Sequence, residues 1–321
     1  MESWYNMNIK KILLNIVIIT IAFLVFVAWY EHFEKRTQQT VTQVKHKLKA
    51  YLITTDKEYE YWESVNSGAS DMAKLAGIDY VWDAPTERNT EKQIEVLRRA
   101  VNSGADAILI AVNDPRKLSG PIEDAKARGI KFVYVDSPAY EEAVTTLATN
   151  NLLAGQKAGT AMLDALKSQG IQQGEIGIVG VTPDYDITIA RERGFRDVIE
   201  KDGNFKLLET IYKNGDPTAS QIAAEELIDT QKNLVGLFGT NEGSTEGVGR
   251  AIQNKKSNVT GIGFDKTQKN YKLLREGALR TLVVQNPYTM GYLGMAEAIA
   301  AMKGYETGPD YINTGVDIIE R

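Results

Sequence analysis

The stretch that decides the fold runs from Ala105 to Pro138: ADAILIAVNDPRKLSGPIEDAKARGIKFVYVDSP. Two short runs, DAILIAV and IKFVYVD, are apolar at nearly every position and rich in β-branched residues, with a predicted helix over Arg116–Ala127 between them. A strand facing water on one side alternates apolar with polar, so uninterrupted runs imply strands buried on both faces, as in a parallel sheet covered by helices. Gly104, Gly129 and Pro138 punctuate the junctions.

Working outward, the unit repeats. Towards the N-terminus lie YLIT, a helix over Tyr61–Leu75, IDYVW and a helix over Glu91–Asn102. Towards the C-terminus the pattern restarts after TTLATNN with a helix over Leu152–Leu166, EIGIVGV, a helix over Thr188–Glu200 and FKLLETIY. It continues with a helix over Ala219–Asp229, LVGLFGTN, a helix over Ser244–Gln253, VTGIGFD, LRTLVVQNP and a helix over Tyr288–Met302. This predicts an α/β protein of two doubly wound parallel-sheet lobes joined by several crossings. The first lobe takes residues 50–150 plus 286–313, and the second 151–285 plus 314–321. Crossings are expected near Thr149–Leu152, Gln285–Pro287 and Asn313–Gly315, where Asn, Gly and Pro tolerate the dihedral changes of a hinge or of an ordinary turn.

Composition narrows the function. The 321 residues carry a net charge of −5, which leaves no basic footprint for nucleic acid. There is no cysteine, hence no thiolate nucleophile and no Cys zinc site, and both histidines, His32 and His46, precede the regular α/β pattern. GSTEGVG lacks the spacing of a dinucleotide fingerprint, and no GxxxxGK[ST] occurs. No cofactor, metal or catalytic residue is expected, and the protein is read as a non-enzyme.

In open α/β sheets ligands bind beyond the carboxyl ends of the strands. The strand exits carry Tyr59, Tyr61 and Trp62 after the first; Asp136 and Ser137 after the fourth; then Asn241, Asp265 and Gln285, with Arg191 at the opening of a helix. Carboxylates, amides, one guanidinium and flat rings suit a sugar, whose hydroxyls donate and accept and whose C–H faces lie on rings. Each residue also has a plainer reading. Asp and Asn at strand ends make turns or cap helices, Tyr61 and Trp62 can be core, and Arg191 can pair with Asp184 or Asp186. Asp136 and Asp265 as an acid–base pair at a glycosidic bond is a further, weaker alternative.

Residues 12–30, ILLNIVIITIAFLVFVAWY, are interrupted only by Asn15 and Thr20 and approach the roughly 20 needed to cross a bilayer as a helix. A cleaved signal has a shorter apolar region and a small-x-small site, and Phe26 occupies the position where a small residue is wanted. The expectation is a retained transmembrane anchor within residues 1–30, a polar stalk over 31–49, and the remainder outside the cell.

YEYWESVNSGA, GADAILI, GIKFVYVDSP, ATNNLLAGQKAG, ARERGF, LFGTNEGSTEGVGRAI, VTGIGFD and TLVVQNPYTMGYLG occur in the order and at the spacing of type I periplasmic sugar-binding proteins. The chain resembles that family, its ribose- and xylose-binding branch above all, from about Tyr51 to Val316. The resemblance implies ligand contacts at Tyr61, Trp62, Asp136, Arg191, Asn241, Asp265 and Gln285. It also exposes departures: Ser137 stands where ribose binders carry Arg, Gly215 where they carry an aromatic ring, and Tyr59 where they carry Asn. The implied ligand is a small neutral sugar held differently from ribose, with a pentose and first xylose favoured, and Tyr59 supplying ring surface that Gly215 lacks. With its anchor the chain is similar to the xylose-sensing binding proteins of clostridia, which implies the extracellular domain of a sensor histidine kinase as partner. The alternative is the binding component of an ABC importer, with a permease as partner.

Overall fold

The computed structural model describes residues 20–32, 47–57 and 59–321. They fall into two compact units, Met1–Lys47 and Leu48–Arg321. In the first, residues 20–32 form a helix, α1, whose Ile21, Phe23, Leu24 and Phe26 side chains are exposed. No helix among the described residues is long and apolar enough to cross a membrane. Residues 12–19 of the predicted span and 33–46 of the predicted stalk lie outside the described residues.

The second unit holds two sheets. One has strands β1 (Lys49–Ile53), β2 (Asp79–Asp83), β3 (Ala107–Ile110), β4 (Lys131–Val135), β5 (Thr146–Ala148) and β12 (Tyr311–Asn313), in the order β12-β5-β4-β3-β1-β2. The other has β6 (Gly174–Gly180), β7 (Phe205–Leu207), β9 (Leu234–Gly239), β10 (Thr260–Phe264), β11 (Thr281–Gln285) and β13 (Val316–Glu320), in the order β13-β11-β10-β9-β6-β7, with β8 (Ile211–Tyr212) beside β6. With β8 set aside, both sheets place their second strand outside their first and stack the third, fourth and fifth on the other side.

The uninterrupted apolar runs behave as their pattern requires. Along β1, β3 and β4, Ala50, Leu52, Ala107, Leu109, Val133 and Val135 face one core, while Tyr51, Ile53, Ile108, Ile110, Phe132 and Tyr134 face another. Helices α2 (Glu60–Ala76) and α10 (Pro287–Met302) cover the first face. Helices α3 (Thr90–Asn102) and α4 (Pro115–Ala127) cover the second. In the second sheet, α5 (Asn151–Ser168) and α6 (Asp186–Asp202) cover one face, and α7 (Pro217–Thr230), α8 (Glu242–Lys255) and α9 (Gln268–Glu276) the other. The IDYVW run is the exception, because β2 is an edge strand and every residue in it is half-buried.

Three features depart from the sequence-based expectation. FKLLETIY is not one strand but β7 and β8, separated at Leu208–Thr210. Helix α9, not predicted, lies between β10 and β11. The sheets are not wholly parallel, since β13 runs antiparallel to β11 and pairs Gln285 with Val316. The chain passes from one sheet to the other between β5 and α5, between β11 and α10, and between β12 and β13.

Candidate functional site

One cavity of about 50 Å³ lies between the sheets at the carboxyl ends of their strands. Tyr59, Tyr61, Trp62, Asp136, Arg191, Asn241, Asp265 and Gln285 all line it, so eight of the nine residues picked from the sequence meet in one place. Ser137 does not. Asp136 adopts a left-handed backbone, φ 66°, which turns its own carboxylate to the cavity. Ser137 follows it out of the wall and is buried, its carbonyl accepting from the Val112 N–H at 2.9 Å.

The two aspartates occupy equivalent positions. Each follows the strand third from the same end of its sheet, β4 and β10, and Asp265 is left-handed too, with φ 69°. Such backbone is uncommon outside glycine and costs on the order of 1–3 kcal/mol, and it clusters at binding sites. The surroundings supply the compensation: Asp136 N–H donates to Leu147 O at 2.8 Å and Asp265 N–H to Val283 O at 2.9 Å, each in the next strand. Tyr61 Oη donates to Asp136 Oδ1 at 2.8 Å, and Gln285 Nε2 to Asp265 Oδ1 at 2.8 Å. Burial raises the pKa of both carboxyls, and the Arg191 charge opposes that rise in each. Gln285 Oε1, buried, has no hydrogen-bond partner among the described residues.

Arg191 is only 3% exposed and does not pair with Asp184 or Asp186. Its Nε donates to Asn151 Oδ1 at 2.8 Å and its Nη1 to Thr240 O at 3.1 Å, while the guanidinium lies 4.3 Å from the centre of the Phe264 ring. Two bonds and a ring fix its plane and leave other donors of the fork for a ligand. The helix carrying it is held hard against α5, for a Cβ at Gly155 would fall 2.0 Å from Arg191 O.

Some plainer readings hold beside the functional ones. Asn241 caps α8, its Oδ1 accepting from Ser244 N–H at 2.9 Å, yet it also lines the cavity. Trp62 is core, 3% exposed and packed edge-on to Tyr61 at 4.9 Å, and it too reaches the cavity wall.

The sequence reading missed Arg88, Tyr185, Ile187, Thr188 and Glu242. Burial pushes the Glu242 carboxyl up to about 8, and the neighbouring Asp265 charge adds to the rise. Among the contacts of the described residues that bridge the lobes around the cavity are four. Tyr59 Oη donates to Gly215 O at 3.3 Å, Tyr61 N–H to Glu242 Oε2 at 3.3 Å, and Gln268 N–H to Glu60 Oε2 at 3.0 Å. The fourth sets the Arg88 guanidinium 4.5 Å from the centre of the Tyr185 ring. A side chain at Gly215 would be strained, since φ is 70° and a Cβ would lie 2.7 Å from Asn241 Nδ2. Tyr59 reaches from the first lobe to the carbonyl of Gly215, a position that brings no ring of its own. Among the described residues no cluster of three or more His, Cys, Asp or Glu could hold a metal.

The sequence profile described as the periplasmic binding protein domain matches residues 50–306. A D-apiose import binding protein of Paraburkholderia graminis is 25% identical over 267 residues, 82% of this chain and 81% of the relative. The ribose import binding protein of Bacillus subtilis is 25% identical over 248 residues, 76% of this chain and 78% of its own length. A crystal structure of a carbohydrate transporter solute binding protein from Agrobacterium radiobacter, in complex with D-arabinose, superimposes with a TM-score of 0.82. That pair shares 29% identity and covers 86% of this chain and 95% of the other.

Proposed function

The chain belongs to the periplasmic binding protein family, and from that premise we propose that it closes its two lobes around a small neutral sugar and performs no chemistry on it. The observation that carries the proposal is the convergence of Asp136, Asp265, Arg191, Asn241, Gln285 and the edge-to-face pair Tyr61 and Trp62 on a single small cavity. Its charge is nearly balanced: with Glu242 largely protonated at neutral pH, two carboxylates face Arg88 and Arg191. A balanced set of donors and acceptors favours a polyol over an anion. The small volume and the rings from the first lobe favour a pentose, xylose first. The D-apiose import protein and the D-arabinose complex among the similar proteins support that size class. A thermal-shift panel of pentoses and hexoses, followed by calorimetry, tests it: a true ligand raises the melting temperature by mass action, and no shift with any monosaccharide at millimolar concentration overturns it.

What the closed form addresses has two readings. The import roles of the ribose and D-apiose relatives favour an ABC permease. The apolar stretch Ile12–Tyr30, with the exposed apolar side chains of α1, favours a membrane-anchored extracellular sensor subunit docking on a sensor histidine kinase. Uptake of labelled sugar in a deletion strain separates them: intact uptake with lost sugar-dependent transcription sinks the importer reading, and the reverse sinks the sensor. N-terminal sequencing of the cell-associated protein tests the anchor.

A further inference from the structure

Outside the cavity lies a second space of about 290 Å³, lined from the first lobe by Asn113, Arg116 and Tyr140 and from the second by Thr182 and Asp186. Arg88 and Tyr185 border both spaces. Arg88 stands in the loop between β2 and α3, and Tyr185 in the loop between β6 and α6, so their 4.5 Å stack exists only while the lobes are together. Neither side chain is committed to local structure: α6 begins at Tyr185 without a side-chain cap, and Asn89, not Arg88, caps α3. On its own lobe Arg88 feels the charge of Asp56 and Asp136, which fits a guanidinium turned inward to the ligand.

Resting on the reading of the cavity as a sugar site, we propose that Arg88 and Tyr185 form a gate, one leaf from each lobe, that shuts the ligand in and limits it to one sugar ring. Behind the gate is the carboxylate of Asp136 with the aromatic wall. In front of it is a polar chamber into which a substituent on the sugar would have to pass. A cation over a ring gains from about 0.5–1 kcal/mol when exposed to about 2 when desolvated, so losing either leaf speeds release by roughly 2- to 30-fold.

The test uses the full chain carrying a donor–acceptor dye pair at Glu123→Cys and Lys201→Cys, exposed sites on opposite lobes of a protein with no cysteine of its own. Tyr185→Ala, Arg88→Ala and Arg88→Gln are compared with Tyr185→Phe, which keeps the ring. D-xylose, D-ribose, L-arabinose and the disaccharide xylobiose are the probes. We expect the parent to close on a pentose and to ignore xylobiose. The Ala and Gln variants should release that pentose about tenfold faster and gain closure on xylobiose, whereas Tyr185→Phe should match the parent. Unchanged release with xylobiose still excluded overturns the gate, as does a Phe variant as impaired as the Ala one. If the parent closes on no sugar, the sugar reading fails on its own, and the gate is then judged from the sugar-free distance distribution. A shift towards open in the Ala variants upholds it, and an unshifted distribution refutes it.

Discussion

Asp136 and Asp265 are the same device built twice. Strand position, left-handed backbone and the amide bond to the next strand agree between the lobes. The side-chain partners do not. Asp136 is held by the phenol of Tyr61 on α2, and Asp265 by the amide of Gln285, the last residue of β11 before the chain crosses to the first lobe. One carboxylate is thus tied to a ring that lines the cavity, and the other to a crossing about which the lobes would turn. The shared frame positions an acceptor from each side, while the unshared partners give the two acceptors different second tasks.

The largest effect should come from Asp265→Ala. It removes a buried hydrogen-bonding charge from the ligand, leaves Gln285 Nε2 without its acceptor, and disturbs the crossing. Losing one partner of a buried charged pair costs about 2–5 kcal/mol, which is 30-fold or more in sugar affinity by calorimetry. Asp136→Ala should weaken binding less, about tenfold, and leave the sugar-free distance between lobes as it was. Losses within a factor of three of each other would show that the second tasks are imaginary.

The lobes also share a way of packing helices. A Cβ at Gly68 on α2 would fall 2.0 Å from Tyr288 O on α10, and one at Gly155 on α5 would fall 2.0 Å from Arg191 O on α6. Either Gly→Ala change forces the helices apart and should destabilise by about 1–3 kcal/mol in denaturant titrations, as overpacking does. The consequences for the ligand should differ. Gly155 presses on the residue that supplies the guanidinium, so affinity falls with stability. Gly68 sits two turns beyond Tyr61, so stability alone falls. Equal affinity losses would mean that Arg191 is not placed by this contact.

How much of this could be read from residue order follows from the range of each signal. Period-two burial on both faces is local, and IKFVYVD and DAILIAV announced the layers. Strand exits are local as well, which is why Asp136, Asp265, Asn241 and Gln285 could be picked out before their meeting place was known. Arg88 could not, because TERNT reads as a solvated loop and only the opposite lobe gives its guanidinium a ring to lie on. Glu242 looks like an ordinary first-turn acid at a helix N-terminus until Tyr61 and Asp265 close over it. Helix α9 was missed because it is only nine residues long and buries just two apolar side chains, Leu273 and Leu274. Ser137 was picked from the same strand exit as Asp136, and it alone of the nine lies off the cavity wall.

Glu242 offers the most diagnostic contrast, because it couples one lobe to the other through a proton. With the lobes together its carboxyl is raised from an ordinary 4.5 to about 8 by burial and by Asp265, with the Glu60 charge adding and the Tyr61 N–H subtracting. A group whose pKa is raised on closing binds a proton more tightly in the closed form. Its contribution to closure is therefore complete below about pH 4.5 and is lost as pH rises through 8. Sugar affinity should fall as pH rises from 6 towards 8 and level off by pH 9. Glu242→Gln keeps an acceptor for the Tyr61 N–H and removes the charge, so its affinity should be flat over that range and exceed that of the parent at pH 9. A parent affinity that is constant or climbs towards pH 9 would leave Glu242 outside the closing machinery and return that task to the contacts of Tyr59 and Arg88.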